Sequence, residues 1–228
     1  MKLCLDIETL PADESMVPQI KFLYGRKLEK IAKRKETSDT PVYGESDASV
    51  DFDKYYRGTS LDGSFGQILC IAYAIDDDEV RVICHPDDEK KTLQEFWGIA
   101  KSAHLFIGHN VMDFDLRFIY QRSIVLGVRP SRELSFARYR SEPIYDTMKE
   151  WAKWSNNNIS LENLAIALDI DSPKDGIDGS QVYDFYKEGK VKEICDYCKR
   201  DVAATRAVYK RMIFALPTST KEPTQQLA

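Results

Sequence analysis

The sequence contains no apolar run long enough to span a membrane as a helix. It also lacks a basic excess: 32 lysines and arginines stand against 37 aspartates and glutamates, for a net charge of −5. Proteins that hold nucleic acid without sequence preference carry a basic footprint. Any such contact here must be local, with bound cations supplying part of the positive field. Histidine is scarce, and His85, His104 and His109 are given no catalytic role. Cys195 and Cys198 form a CxxC, but no second ligand pair stands at zinc spacing, and the pair lies inside a helical stretch rather than at its start. The five cysteines therefore read as small buried hydrophobes: Cys4, Cys70 and Cys84 in strand patterns, Cys195 and Cys198 in a helical stripe. The chain enters its first strand at once, leaving no room for a signal peptide, so a cytoplasmic location and no membrane partner are expected.

The 228 residues are 43% hydrophobic and 30% charged, ordinary values for a globular protein. One domain is expected over residues 1–216, with an insertion at about 12–65 and a polar, disordered tail at 217–228. Within the insertion, Phe22–Lys35 carries Arg26, Lys27, Lys30, Lys33, Arg34 and Lys35 beside a thin apolar seam and reads as a helix. Residues 36–47 read as mobile, and Val50–Arg57, with Phe52, Tyr55 and Tyr56, as a short helix. Two roles stay open for this stretch: a basic and aromatic flap that grips a nucleic-acid backbone and stacks bases, or a solvated decoration.

Past the insertion, Ile68–Ile75 is a strand buried on both faces, and Val80–Cys84 returns beside it through the turn Asp76–Asp78. An amphipathic helix carries Leu93, Phe96, Trp97 and Ala100, and Ala103–Gly108 is a short strand. A helix follows through Leu116 and Ile119, then a fifth strand at Ile144–Asp146. Helices at 147–154 and 160–168 come next, the second capped by Ser160, then a short helix capped by Ser180. A long helix runs from Val191 to about Ala215. This order suits an α/β protein, a mixed sheet covered by helices.

Three segments carry chemistry. In the first strand, Leu3, Leu5 and Ile7 alternate with Cys4, Asp6 and Glu8, so the two carboxylates share one face. Paired carboxylates repel, and a divalent cation offsets that; oxygen-only ligands suit Mg²⁺ or Mn²⁺. In GHNVMDFDL, a strand ends at Gly108 and Asp115 opens a helix, at the carboxyl end of a strand where ligands bind in open α/β sheets. In the last helix, Tyr197 and Asp201 stand at i and i+4 beside the buried stripe.

Together DIET, HNVMDFD and YCKRD resemble the three exonuclease motifs of the DEDD superfamily, with YxxxD marking the DEDDy branch of the DnaQ-like, ribonuclease H-like enzymes. FGQILCIAYA and the stretch ending in YCKRD resemble stand-alone 3′–5′ exonucleases similar to the exonuclease domain of family B DNA polymerases. The resemblance implies a ribonuclease H-like fold with a five-stranded mixed sheet. It implies that Asp6, Glu8, Asp115 and Asp201 bind two Mg²⁺ or Mn²⁺ ions and that Tyr197 orients the attacking water or helps deprotonate it. An aromatic residue before the acid selects Asp115 over Asp113. Thr9, Leu10 and Asn110 are candidate substrate contacts. The implied activity is hydrolysis of single-stranded DNA from its 3′ end to nucleoside 5′-monophosphates. The same chemistry on RNA, a noncatalytic nucleic-acid-binding module associated with a polymerase, and an acidic structural domain with chance motifs are the alternatives. A DNA polymerase or a repair protein is the partner implied; the oligomeric state is left open.

Overall fold

The computed structural model describes residues 1–37, 51–171 and 177–215. The stretch read as mobile lies outside these residues beyond Thr37, and so does the tail at 217–228. Five strands are formed by Lys2–Leu10 (β1), Gln67–Ile75 (β2), Arg81–Cys84 (β3), Leu105–Gly108 (β4) and Ile144–Asp146 (β5). They make one sheet in the order β3-β2-β1-β4-β5. β2 runs antiparallel to both of its neighbours, β1 and β3, while β4 and β5 run parallel to β1. The helices are Val17–Thr37 (α1), Phe52–Arg57 (α2), Glu89–Ala100 (α3), Asp115–Val125 (α4), Thr147–Ala152 (α5), Leu161–Ala167 (α6), Val182–Lys187 (α7) and Val191–Met212 (α8). This is the mixed, helix-flanked, ribonuclease H-like sheet that the motifs imply.

The alternation of β1 decides which helix lies where. Leu3, Leu5 and Ile7 pack with Phe96 and Trp97 of α3 and with Leu116 and Ile119 of α4. The even-numbered residues face α8, where Cys4 meets Cys70, Ala72 and Ala74 of β2 and Cys195, Cys198 and Val202 of the helix. These are small side chains, so the helix axis lies close to the sheet. Asp6 and Glu8 fall on this same face, beneath α8.

Two irregularities in β1 open the sheet there. The register with β2 shifts after Glu8, which pairs with Cys70 while Thr9 pairs with Ile68. The bulged residue is Leu69, which joins Leu10, Val182 and Ile194 in an apolar cluster under α7. On the other side, β4 is only four residues long and pairs with β1 no further than Cys4. Past Cys4, the amides on that edge of β1 need partners other than β4.

Segment boundaries follow the sequence reading closely, with two corrections. Ser160 caps α6, as its side chain accepts from the Asn163 amide. The cap before α7 is Asp178 and not Ser180: Asp178 and Gln181 form a reciprocal capping box around the 3₁₀ turn Gly179–Gln181. A carboxylate is the stronger acceptor, and the turn therefore starts two residues earlier. The last helix ends at Met212, where Phe214 turns the chain at φ 58°.

In the insertion, the aromatic residues turn inward. Tyr56 is buried and donates its hydroxyl to the Ala12 carbonyl at 2.6 Å. Phe52 and Tyr55 pack on Tyr24 of α1 at ring-centroid distances of 5.6 and 5.3 Å. They hold α1 and α2 together and are not a stacking surface. The cations Lys21, Arg26, Lys27 and Lys30 stay exposed along α1. Among the described residues, no helix is long and apolar enough to cross a membrane.

Candidate active site

β1 and α8 sandwich the acidic cluster. Ligand atoms of Asp6, Glu8 and Cys198 lie within 4.8 Å of one another. At that separation, with an effective dielectric near 20, two carboxylate charges repel by about 3.5 kcal/mol. An exposed salt bridge returns only about 1 kcal/mol at best, too little to offset this. The Cys198 thiol donates to Asp6 Oδ2 at 3.4 Å and to the Asp6 carbonyl at 3.5 Å. It acts as a donor to one carboxylate; the acceptors in the cluster are oxygens.

Asp115 reaches the cluster from α4. Because β4 stops short, the Ile7 amide is free for a side chain, and Asp115 Oδ1 accepts it at 3.1 Å. The residue is only 3% exposed. It is thereby fixed to the backbone between Asp6 and Glu8. Tyr197 and Asp201 come from successive turns of α8, and the Tyr197 hydroxyl is hydrogen-bonded to the Asp201 carboxylate. Asp201 in turn acts electrostatically on Asp6, Glu8 and Asp115. The structure thus gathers all five residues of the three motifs on one face of the sheet.

The electrostatics follow from that crowding. Burial pushes the Asp6 carboxyl well above the usual carboxylate range, and Cys198, Asp115, Glu8 and Asp201 push it further. Glu8 moves the same way through burial, then through Asp201 and Asp115. Asp115 is raised to about 7, chiefly by burial, against the lowering effect of its own amide and that of Ile7. Burial and the carboxylates of Asp201, Glu8 and Asp6 hold Tyr197 well above the ordinary phenol range. Without a cation the cluster keeps protons that it would otherwise lose. Four carboxylates, with oxygen as the accepting atom throughout, fit a hard divalent ion.

The candidate substrate contacts follow Glu8 along β1 and precede Asp115 in the turn after β4. Thr9 sits on the opposite face of β1 and gives its hydroxyl to the Ser60 carbonyl at 2.7 Å. Leu10 is 5% exposed within the apolar cluster under α7, at the wall of a cavity of about 390 Å³ that also includes Tyr183, Tyr186 and Lys187. Asn110 adopts φ 59° at the turn after β4. Asp113 is paired with Lys149 at 2.8 Å and Arg117 at 3.7 Å, outside the cluster. His109 lies between the Thr147 hydroxyl and the Ile159 carbonyl, and burial holds its pKa below the ordinary value.

One residue escaped the sequence reading. Asp146, 1% exposed at the end of β5, accepts the amides of Asn110 and Met112 at 3.0 Å each. It also accepts those of Met148 and Lys149, capping α5. It therefore staples the turn that delivers Asp115. An acid at a strand end followed by Thr147 and a helical stretch is the N-cap signature that could have marked it.

Beside that turn runs a groove of about 160 Å³ that includes Met112, Arg138, Tyr139, Lys149 and Trp154. The Tyr139 and Trp154 rings lie 5.4 Å apart, and Tyr139 is 74% exposed. Both residues have positive φ, 63° each, a strained state for an aromatic side chain.

A family model described as a predicted 3′–5′ exonuclease related to the exonuclease domain of PolB matches residues 61–226. The fold is similar to the family B DNA polymerase from the hyperthermophilic archaeon Pyrobaculum calidifontis, with a TM-score of 0.61 and 14% identity. That likeness covers 93% of this chain and 24% of the polymerase, and at this identity it speaks to the fold alone. No curated protein matches the sequence.

The raised Asp115 pKa has a stability consequence with a definite sign. Its folded value of about 7 exceeds the ordinary 3.8, so between these pH values the native state holds a proton that the unfolded chain has lost. That contribution is complete below 3.8 and is lost as pH rises through about 7. In EDTA, the urea midpoint of the wild type should fall from about pH 5 to 8 more steeply than that of Asp115→Asn. Parallel profiles for the two proteins would show that Asp115 does not carry the shift.

Proposed function

Because the chain belongs to the family of predicted 3′–5′ exonucleases related to the exonuclease domain of PolB, we propose that it is a metal-dependent enzyme acting on single-stranded DNA. It removes nucleotides from the 3′ end and releases nucleoside 5′-monophosphates. The observation that carries this reading is the gathering of Asp6, Glu8, Asp115 and Asp201 with Tyr197 in one partly buried anionic cluster. A surface meant only to bind phosphate gains nothing from carboxylates there. When bound, two divalent cations held by these four acids supply an acidified water and neutralise charge on the phosphate and the departing 3′ oxygen.

The remaining work falls to the chain itself. Tyr197, whose hydroxyl is hydrogen-bonded to the Asp201 carboxylate, would orient the attacking water or help deprotonate it. Asp115 is held by the Ile7 amide. Asp146 fixes the turn behind it through backbone amides. Pre-set geometry of this kind avoids reorganisation during reaction.

Two features favour a nucleic-acid strand as substrate. The exposed cations of α1 form the local basic face that the acidic net charge conceals. The groove with Tyr139 and Trp154 offers aromatic faces beside Arg138 and Lys149, the pairing of stacking surface and charge that single strands use.

A 5′-labelled single-stranded DNA oligomer with Mn²⁺ should shorten from its 3′ end to a ladder. EDTA, Asp6→Ala and Asp201→Ala should each abolish the ladder. Hydrolysis surviving both substitutions would reject the site, and a ladder from the matched RNA alone would reject the substrate. Stacking contributes about 1–3 kcal/mol per base, so Trp154→Ala should raise KM for the oligomer about 5- to 150-fold with kcat nearly unchanged. A lowered kcat at constant KM would remove the groove from substrate binding.

A further inference from the structure

Four of the five cysteines, distant in sequence, form a connected row behind the acidic cluster. Cys70 and Cys84 are cross-strand partners on β2 and β3, and Cys70 is also the cross-strand partner of Glu8 on β1. α8 lays Cys195 and Cys198 over this row. The Cys195 thiol is hydrogen-bonded to both Cys84 and Cys70, and Cys198 to Cys70. Cys198 then donates to Asp6. The order Cys84–Cys195–Cys70–Cys198–Asp6 leads from the edge strand of the sheet to a candidate metal ligand.

The row is not a cage. A tetrahedral zinc site needs sulfurs about 3.8 Å from one another. Among the described residues, the one set of three or more metal-ligating groups that close together is Asp6, Glu8 and Cys198. Each thiol contacts only its neighbours along the row, and such neighbouring pairs are what disulfides form from. Exposure separates the pairs. Cys70 and Cys198 are fully buried, whereas Cys84 is partly exposed on the edge strand and Cys195 is 8% exposed.

We propose that Cys84 and Cys195 are a peroxide-oxidised pair, and that their disulfide draws α8 across the sheet and slows the hydrolytic site. In the first step the Cys195 sulfur attacks a peroxide oxygen, the O–O bond breaks, and Cys195 becomes a sulfenic acid. In the second, the Cys84 sulfur attacks the Cys195 sulfur, the S–O bond breaks and water leaves with the thiol proton. The net change is two thiols and one hydrogen peroxide to one disulfide and two waters. A disulfide sets its sulfurs about 2.05 Å apart, well inside hydrogen-bonding separation. Cys195 lies two residues before Tyr197 and six before Asp201, so closing the bond displaces the turns that carry both. The crosslink stands on the thiol geometry alone, and its effect on hydrolysis rests on the exonuclease reading.

The test treats the full-length, metal-free protein with hydrogen peroxide and measures intact mass, free thiols under denaturing conditions and the linked peptide. The expected result is a loss of about 2 Da and of two thiols, a peptide joining Cys84 to Cys195, and full reversal by dithiothreitol. Cys84→Ser should keep the hydrolysis rate of the reduced wild type and form no link. In the Mn²⁺ assay, the oxidised wild type should hydrolyse about tenfold more slowly or worse, and the peroxide-treated Cys84→Ser should not. Five thiols unchanged by peroxide, a link between other cysteines, or stoichiometric zinc retained by the thiols would overturn the proposal. A Cys84–Cys195 link with an unchanged rate would overturn its coupling to the site. An inactive reduced wild type that still forms the link would reject the exonuclease reading and leave the crosslink supported.

Discussion

Mutual repulsion among buried carboxylates is the constraint on which the rest of this structure depends. Asp6 and Glu8 project from one strand into a space closed by α8, and Asp115 and Asp201 add their fields from two other elements. A fold can tolerate such a cluster in two ways: by protonating it or by binding a cation. The raised pKa values favour the first in the absence of a cation, and the oxygen donor set fits the second. The backbone bears part of the load as well. Asp115 is stabilised by amides, and the shortness of β4 is what leaves the Ile7 amide available for it.

The same crowding dictates what can stand behind the acids. A helix that must bring Tyr197 and Asp201 down onto β1 has to lie close to the sheet. The residues beneath it are accordingly small: Cys4, Cys70, Ala72 and Ala74. Cysteine is the natural choice where a small apolar side chain must still offer a weak donor, as Cys198 does to Asp6. The thiol row is thus a by-product of close helix–sheet packing, and it leads from the protein surface to the centre of the anionic cluster.

Much of this was legible in the sequence because it depends on local periodicity. Alternation along Lys2–Leu10 separates the acids from the apolar face, and the i, i+4 spacing of Tyr197 and Asp201 puts them on one side of α8. The motif order then predicts their convergence, and the aromatic residue before the acid selects Asp115, while the structure pairs Asp113 with Lys149 and Arg117. What stayed hidden depends on tertiary pairing. No local pattern reveals that Cys70 and Cys84 come to lie under Cys195, so the CxxC looks partnerless. The bulge at Leu69 and the end of β4 at Gly108 are matters of register, and the second decides why Asp115 turns in. Asp146 reads as a strand end until its four amide partners are seen. The aromatic residues of the insertion carry no sign in sequence of whether they face water or α1.

The central claim is that the carboxylate cluster is a site for two divalent cations. Counting bound Mn²⁺ by electron paramagnetic resonance at about pH 8, across the wild type, Asp6→Asn and Asp201→Asn, tests it most directly. Two spin-coupled ions per wild-type chain, with the coupling lost in both variants, is the result expected of a shared site. Wild type and variants binding Mn²⁺ equally weakly, with no coupled signal, would mean that the acids are held together by protons alone.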